Sequence, residues 1–275
     1  MRARGACQCA TSRVRAHYVI VDMAFERSHL AVLPAYNEAE TVAEVIASVR
    51  RHAPMFEVLV VDDGSTDKTG DIARAAGAMV LRHPFNLGIG GAVQSGFVFA
   101  RERGYDYMVQ VDADGQHCPD QIGKLMIAMR EDPTLDMVCG SRFITRDHKY
   151  PAPVSRRTGI HLFAFLLSRL VGQRISDPTS GFRLYNRRGI ALFARDYPHD
   201  YPEVEAVLMV HFHRLRMREV PVRMLHRGGG VSSIRSGKSL YYMVKVLLAI
   251  FMGLARARPV PEPGDAAPVA ASHGL

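Results

Sequence analysis

Between residues 29 and 142 the sequence alternates short apolar runs with longer amphipathic stretches, and this alternation is the feature that most restricts the fold. Strands and helices that alternate at this spacing form βαβ units, which require a mostly parallel sheet. The predicted strands are Leu30–Leu33, Val58–Val61, Ala78–Leu81, Tyr107–Val111 and Met137–Gly140. The predicted helices are Glu40–Arg51, Lys68–Ala76, Gly91–Arg103 and Pro119–Arg130. Ligands bind at the carboxyl ends of the strands in such sheets.

The second half of the chain is less regular. Residues 143–160 are rich in Pro, Arg and Ser and predict a loop that enters a helix. A Gly/Ser-rich stretch over 228–233 predicts a flexible loop. The further predicted elements are a helix at His161–Leu170 and strands at Ser180–Tyr185 and Glu219–Val222.

The composition fits one large α/β domain with short appendages. The chain has 275 residues, of which 48% are hydrophobic and 23% charged, so a packed core is expected. We divide it into an N-terminal extension (1–28), a main domain (29–235), an amphipathic helix (236–255) and a disordered tail (256–275). The extension is rich in arginine and has no acid before Asp22. It resembles a transit peptide in composition, but a true start at Met23 is the favoured interpretation.

Net charge and cysteine spacing narrow the class of binding partner and indicate the redox compartment. The net charge of +8 fits an anionic partner, which could be nucleic acid, a phosphorylated substrate or an anionic membrane. The basic residues are scattered and no aromatic-basic motif occurs, which disfavours nucleic acid. The four cysteines show no C-x-x-C spacing, so neither a metal cluster nor a disulfide framework is expected, and a reducing compartment is the default.

The strongest chemical signal is the sequence Val-Asp-Ala-Asp-Gly-Gln-His at 111–117. In extended backbone the side chains of Asp112 and Asp114 share one face, where two carboxylates repel each other unless a cation lies between them. Mg²⁺ or Mn²⁺ held by few carboxylates and completed by phosphate oxygens suits this arrangement. A solvated turn built from Asp and Gly is the alternative.

Two further strand ends carry polar residues. Val58–Val61 is followed by acids and a glycine turn, where Asp63 could accept hydrogen bonds from a ribose hydroxyl or a base edge, while Asp67 caps the next helix. The first strand ends in Pro-Ala-Tyr-Asn-Glu at 34–38, where Pro34 and Tyr36 could form an edge against a nucleobase. The alternative is that these residues only form a turn that leads into a helix.

Taken with Asn-Leu-Gly-Ile-Gly-Gly at 86–91, these segments resemble family-2 inverting glycosyltransferases. The similarity extends to the branch of dolichol-phosphate mannose synthase and bacterial polyprenyl-phosphate sugar transferases through Cys-Gly-Ser-Arg-Phe at 139–143 and Asp-Pro-Thr-Ser-Gly-Phe-Arg at 177–183. It spans roughly residues 29–252. The 86–91 segment itself matches neither common phosphate-loop motif and predicts a turn with close helix packing.

The resemblance implies a single GT-A-type nucleotide-binding domain with a mostly parallel central sheet, and it implies the site residues. The implied donor-binding residues are Pro34, Tyr36, Glu38, Val61, Asp63, Asp112, Ala113, Asp114, Arg142 and Arg227. The implied metal ligands are Asp112, Asp114 and Gln116. Arginine suits a diphosphate because its planar fork binds phosphate oxygens in pairs. Eukaryotic synthases carry a lysine where this chain has Ser233, so the donor stays open between GDP-mannose and UDP-glucose types.

The acceptor decides whether a general base is needed. A lipid phosphate is already ionised near neutral pH and needs only positioning, for which Arg156 and Arg183 are candidates beside Arg142. A glycan or polysaccharide hydroxyl needs a carboxylate base, for which Asp177 and Glu205 are candidates. A sugar-nucleotide-binding protein without turnover is a further alternative, disfavoured because both acids at 112 and 114 and both arginines are present.

The segment Leu240–Ala255 has apolar residues at helical spacing, beside basic neighbours. Its sixteen residues include Lys245 and are too few to span a bilayer comfortably. An interfacial helix on anionic lipid and a helix packed on the sheet are both open, and the resemblance favours the first. We therefore expect a cytoplasmic protein held peripherally on the cytoplasmic face of the membrane.

Overall fold

The computed structural model describes residues 29–144, 154–198 and 202–225, and for 154–159 the backbone alone. These residues form one sheet of seven strands with helices on both faces. The strands are β1 His29–Ala35, β2 Glu57–Asp62, β3 Met79–Arg82, β4 Tyr107–Gln110, β5 Met137–Ser141, β6 Arg183–Asn186 and β7 Met217–Pro221. The helices are α1 Val42–His52, α2 Thr69–Ala75, α3 Gly88–Glu102, α4 Ile122–Glu131, α5 Val154–Val171, α6 Arg187–Arg195 and α7 Pro202–Phe212.

The sheet is mostly parallel, in the order β3-β2-β1-β4-β6-β5-β7. Strand β6 alone runs against its neighbours, pairing antiparallel with both β4 and β5. Its first residue, Arg183, is therefore level with Gln110 at the end of β4 and with Cys139 near the end of β5. The reversal brings the loop that precedes β6 to the edge where the parallel strands end.

The core has two layers because successive strand residues face opposite sides of the sheet. In β1, Leu30 and Val32 join the layer under α3, α5, α6 and α7, while Ala31 and Leu33 join the layer under α1, α2 and α4. Helix α3 lies very close to β1, since a Cβ on Gly96 would stand 2.4 Å from a methyl carbon of Val32. Glycine is what permits this close approach.

The predicted α/β architecture with a mostly parallel sheet is confirmed, and each predicted strand lies within three residues of an observed one. Two helical predictions need correction. The helix predicted from Pro119 starts as a 3₁₀ turn, Pro119–Gln121, before α4. The helix predicted from His161 already begins at Val154, within the predicted loop. Helices α6 and α7 were not predicted.

Several sequence predictions fall outside the described residues. These are the extension 1–28, the 228–233 loop, the amphipathic helix 236–255 and the tail 256–275. Within the ranges that the structure describes, no helix is both long and apolar enough to cross a membrane.

Candidate active site

The candidate site residues gather at one edge of the sheet for a topological reason. Parallel strands β1, β2, β4 and β5 all end there, and the antiparallel β6 starts there. The segments that follow β1, β2, β4 and β5 and the segment before β6 are therefore neighbours. Together they carry Tyr36, Asp63, Asp112, Arg142 and Asp177, all of them singled out from the sequence.

In the loop after β4, the backbone amide and the carboxylate of Asp112 are each held by a hydrogen bond. The amide of Asp112 donates to Nδ1 of His117 at 2.9 Å, and the side-chain amide of Gln110 donates to its carboxylate at 3.3 Å. About a third of the Asp112 side chain is exposed. A Cβ on Gly181 would lie 3.6 Å from that carboxylate, so the 177–182 backbone passes directly beside it.

Asp114 is also half-exposed, and it is fixed by the residue two positions later. Its two carboxylate oxygens accept from the backbone and side-chain amides of Gln116, each at 3.0 Å. The turn between them passes through Gly115 at a φ of +77°, in the left-handed region that favours glycine. The Thr41 hydroxyl donates to the Ala113 carbonyl at 2.7 Å and ties the loop to the start of α1.

His117 is the buried support of this loop. Burial lowers the pKa of its imidazole to about 4, so the ring is neutral at neutral pH. A neutral ring agrees with Nδ1 acting as the acceptor for the Asp112 amide, which leaves Nε2 as the protonated nitrogen. Nε2 lies 3.5 Å from an Asp112 carboxylate oxygen, and the ring packs against Phe182.

The donor set of this loop fits a divalent cation that shares its coordination with a ligand. Asp112, Asp114 and Gln116 offer oxygen atoms, which Mg²⁺ and Mn²⁺ prefer. Among the described residues no group of three or more His, Cys, Asp and Glu is placed to hold a metal ion. Two carboxylates and an amide leave most coordination positions to water or phosphate oxygens, which is how Mg²⁺ is commonly bound beside phosphates.

Asp63 lies at the end of β2 but is buried and hydrogen-bonded within the protein. One carboxylate oxygen accepts from the Leu87 amide at 2.9 Å and lies 2.7 Å from Nδ1 of His83. The other accepts from the Gly88 amide at 2.8 Å. The far nitrogen of His83 lies 2.9 Å from the Ser95 hydroxyl. The start of α3 is thus docked on Asp63, as the prediction of a turn with close packing at 86–91 requires.

The loop after β1 is bound to the loop after β2. Asn37, at a φ of +56°, receives a hydrogen bond at its side chain from the Thr66 amide and donates its own amide to the Ser65 hydroxyl. The Glu38 amide donates to the hydroxyl of Thr69 at 2.9 Å. These bonds leave the Tyr36 ring exposed at the site's margin.

The other nucleotide positions implied by the resemblance are not equally accessible. Glu38 is half-buried, and its carboxylate lies 3.2 Å from the Thr41 hydroxyl oxygen. Pro34 and Ala113 are buried, and Val61 lies wholly within the core, so its side chain is out of a ligand's reach in this structure.

Arg142 and Asp177 form a buried ion pair. Nε and Nη2 of Arg142 donate to the two carboxylate oxygens of Asp177 at 2.7 and 2.8 Å, and the Arg142 amide adds a third bond. Nη2 also donates to the Thr179 hydroxyl at 2.8 Å. Exposure is 7% for the arginine side chain and zero for the aspartate. A carboxylate committed in this way is poorly suited to the general-base role considered for Asp177.

Glu219 on β7 anchors the same loop from the other side. Its carboxylate accepts from the amides of Ser176 and Asp177 at 2.8 and 2.9 Å, and from the Ser176 hydroxyl at 2.7 Å. The loop before β6 is therefore clamped between an arginine after β5 and a glutamate on the edge strand. The same loop brings Gly181 beside the Asp112 carboxylate.

Arg183 was predicted to contact the acceptor, and the structure corrects this. Its side chain is 1% exposed and donates to the Glu203 carbonyl at 2.6 Å, beneath the site rather than on its surface. Neighbouring Glu203 opens α7, and burial raises the pKa of its carboxyl. Glu205, one of the two candidate bases, is half-buried on the same helix. The side chain of Arg156 and all of Arg227 lie outside the described residues.

Residues 30–192 match the family described as glycosyl transferase family 2. The chain belongs to glycosyl transferase family 2. It is 35% identical over 216 residues to the undecaprenyl-phosphate mannosyltransferase of Micrococcus luteus, a match covering 76% of this chain and 88% of that protein. It is 30% identical over 230 residues to the polyprenol monophosphomannose synthase of Mycolicibacterium smegmatis, covering 79% and 84%.

The fold of this glycosyltransferase also resembles a solved structure. The glucosyl-3-phosphoglycerate synthase of Mycobacterium tuberculosis superposes with a TM-score of 0.64 at 22% identity, covering 86% of this chain and 82% of that one. At this identity the likeness concerns the fold, and it confirms the predicted GT-A-type domain.

Sequence reasoning missed several supports of this glycosyltransferase site. His83, Glu203 and Glu219 were not assigned a role, although each contacts a predicted site segment or lies beneath it. Only Glu219 carried a signal, because an acid at the start of the predicted strand Glu219–Val222 needs a partner when it is covered. Nothing in the spacing of His83 or Glu203 indicates which loop they contact.

Proposed function

We propose that this glycosyltransferase moves a hexose, with inversion, from a nucleotide-sugar of the GDP-mannose or UDP-glucose type to a polyprenyl or dolichyl phosphate. Relatives named for undecaprenyl-phosphate and polyprenol acceptors support this class of acceptor. So does a 26% identical relative from Methanococcus voltae, named as a UDP-N-acetylglucosamine–dolichyl-phosphate transferase. The sugars in these names differ, so they support the acceptor class and leave the donor to the transfer assay.

The observation that carries the proposal is the contrast among the acids at the sheet edge. Asp63 and Asp177 are buried, and each accepts three or more hydrogen bonds from the protein. Asp112 and Asp114 are instead half-exposed on a supported loop. Carboxylates that are held in place by hydrogen bonds and are still open to solvent could bind a cation together with a diphosphate.

Asp112, Asp114 and Gln116 would hold Mg²⁺ or Mn²⁺. When bound, the metal would act as a Lewis acid that neutralises charge on the departing diphosphate. The structural neighbour from Mycobacterium tuberculosis was solved with Mn²⁺ and UDP, which agrees with this use of the fold. His117 holds the Asp112 backbone, so the loop needs little reorganisation on binding.

Donor recognition would use the loops after β1 and β2, which are joined by hydrogen bonds. The exposed Tyr36 ring offers a flat apolar surface for a base, and Glu38 offers a nearby carboxylate acceptor. Asp63 would contribute indirectly, by accepting the hydrogen bonds that position the backbone of residues 86–88. Arg142 would lie near the diphosphate with its charge already balanced by Asp177, and Arg227 would add a second arginine by its position in the sequence.

The acceptor oxygen would attack the anomeric carbon in line with the leaving group. A new bond forms from that carbon to the acceptor phosphate, and its bond to the diphosphate breaks with release of the nucleoside diphosphate. An ionised phosphate needs no general base. A hydroxyl acceptor would need one, and Asp177 is already paired with Arg142. The pairing disfavours Asp177 as a base, while Glu205 stays the candidate base for a hydroxyl acceptor, and Arg156 is the remaining candidate arginine for a lipid phosphate.

We place the enzyme peripherally on the cytoplasmic face of the membrane, where lipid phosphates are exposed to soluble donors. The basic, apolar segment 236–255 is the sequence's own candidate for this contact.

The test is a transfer assay with detergent-dispersed polyprenyl phosphate and either GDP-mannose or UDP-glucose, in Mn²⁺, Mg²⁺ or EDTA. We expect a glycosylated lipid phosphate with inverted configuration from one donor, and none in EDTA. Transfer only to oligosaccharide hydroxyls would support the alternative acceptor. Nucleotide-sugar binding without any transfer would support a non-catalytic protein and refute the proposal.

A further inference from the structure

Helix α5 carries large apolar side chains that the protein leaves uncovered among its described residues. Leu162 is 45% exposed and Phe165 is 64% exposed. His161 and Arg169 are exposed as well, and the Arg169 guanidinium lies over the Phe165 ring at 5.8 Å. At 3.6 residues per turn these four side chains occupy about 100° of the helix surface. We call them the α5 face.

The opposite side of α5 is ordinary core, so the exposure is not a sign of a loosely packed helix. Ile160, Phe163 and Leu167 are at most 5% exposed, and the last two belong to the layer shared with α3, α6 and α7. The Ser168 hydroxyl donates to the Ala164 carbonyl and accepts from the Ile175 amide at 2.8 Å. The helix is thus anchored on one side and apolar on the other.

The charged residues of the segment that carries the α5 face are all of one sign, whereas the neighbouring helix α7 carries Glu203 and Glu205 in its first turn. Residues 154–176 contain four arginines and no aspartate or glutamate. Apolar side chains flanked by arginine, with no acid, are typical of surfaces that lie on anionic lipid. A protein partner would need an acidic rim to match, whereas phosphate headgroups supply the negative charge directly.

The α5 face adjoins the site through a short chain of ring contacts. The His161 ring lies 5.7 Å from the Phe143 ring, centre to centre. The Arg142 guanidinium lies 5.4 Å from the centre of that same Phe143 ring, and Arg142 pairs with Asp177 in the site. A bilayer against the α5 face would therefore hold its headgroups close to the loop where the transfer would occur.

We infer that the α5 face docks on an anionic bilayer surface and presents the phosphate of a membrane-embedded acceptor to the site. The inference rests on the proposed polyprenyl-phosphate acceptor and adds the surface that reaches it. Leu162 and Phe165 would enter the boundary between headgroups and acyl chains, while Arg169 would contact lipid phosphates.

Charge argues against the alternative that the chain covers this face with its own segment 236–255. Residues 236–258 contain four Lys and Arg and no acid, so they repel the α5 face rather than neutralise it. An anionic bilayer complements both. A second copy of the chain would bring like charge against like charge for the same reason.

The experiment is flotation of the full chain with phosphatidylcholine vesicles, with and without phosphatidylglycerol. The test variant is Leu162→Gln with Phe165→Gln, and the control is Ile127→Gln, which removes a 58% exposed side chain from α4 on the other face of the sheet. We expect the wild type and the control to float with the anionic vesicles. The binding of the double variant to these vesicles should be weaker by a factor of about ten or more, because two apolar side chains no longer enter the membrane. Arg169→Glu, a single surface change, should weaken flotation as well.

Transfer assays separate this inference from the proposed function. The double variant should lose transfer to long-chain polyprenyl phosphate in vesicles but keep transfer to a short-chain, water-soluble polyprenyl phosphate. If the wild type transfers to neither acceptor, the proposed function fails while flotation still reports on the α5 face. Unchanged flotation of both α5 variants would overturn the inference. So would a wild-type dimer that the double variant converts to monomer without a change in flotation, since the face would then be a subunit interface.

Discussion

Replacing Asp177 by asparagine should destabilise the protein strongly, because it strands a buried guanidinium. Arg142 and Asp177 share two side-chain hydrogen bonds of 2.7 and 2.8 Å, and their side chains are 7% and 0% exposed. Asparagine keeps the shape but removes the counter-charge. Breaking a buried pair from one side costs about 3–5 kcal/mol. That is a large part of the roughly 5–15 kcal/mol by which a domain is stable.

Equilibrium unfolding in urea measures this cost. A loss of 3–5 kcal/mol corresponds to a midpoint lower by roughly 1–2 M at the slope expected for a domain of this size. The matched control is Asp71→Asn, which breaks the exposed pair of Asp71 with Arg74 and should cost about 0–1 kcal/mol. Replacing both Arg142 and Asp177 by apolar residues should restore much of the loss, because neither charge is then left alone.

The same variant decides between two roles for Asp177. As an anchor of the loop, its loss lowers both stability and turnover. As a general base, its loss removes turnover while the urea midpoint stays near that of the wild type. A free energy of unfolding within about 1 kcal/mol of wild type would refute the anchor argument.

Three further predictions concern the metal loop, the core and the second arginine. Asp114→Asn should lower transfer by orders of magnitude with an unchanged urea midpoint, and EDTA should have the same effect on the wild type; full activity in EDTA would contradict the metal assignment. Gly96→Val should lower the thermal midpoint through the clash with Val32, whereas Gly123→Ala, with nothing within 4 Å, should not lower it. Arg227→Lys should weaken catalysis because the bidentate fork is lost, and unchanged donor affinity in Arg227→Ala would sink that role.

The strands and their order of appearance could be predicted because buried parallel strands are continuous apolar runs. The run Val58–Val61 is one example, and it is almost wholly buried in β2. The reversal of β6 could not be predicted, since periodicity carries no direction. Helix α7 was missed because Val204, Val207 and Leu208 leave it without a polar stripe.

The candidate site divides in the same way. Residues just after strands, such as Asp63, Asp112 and Arg142, could be assigned to one edge because strand ends meet there. Which of them face solvent could not, because it depends on partners distant in sequence. Asp63 is covered by amides 24 and 25 residues further along the chain. Arg183, read from the sequence as an exposed cation, is buried by the pairing of β6 between β4 and β5.

The Glu219 clamp ties the site to the margin of the sheet. Within the part of the chain that the structure describes, strand β7 is an edge strand, paired with β5 alone. Edge strands open more readily than central ones, and opening β7 would withdraw the carboxylate that holds Ser176 and Asp177. Glu219 also lies 42 residues beyond Asp177 in sequence, a long loop to close during folding. Amide hydrogen exchange at 176–181 should therefore follow that of β7 rather than that of the neighbouring strand β6.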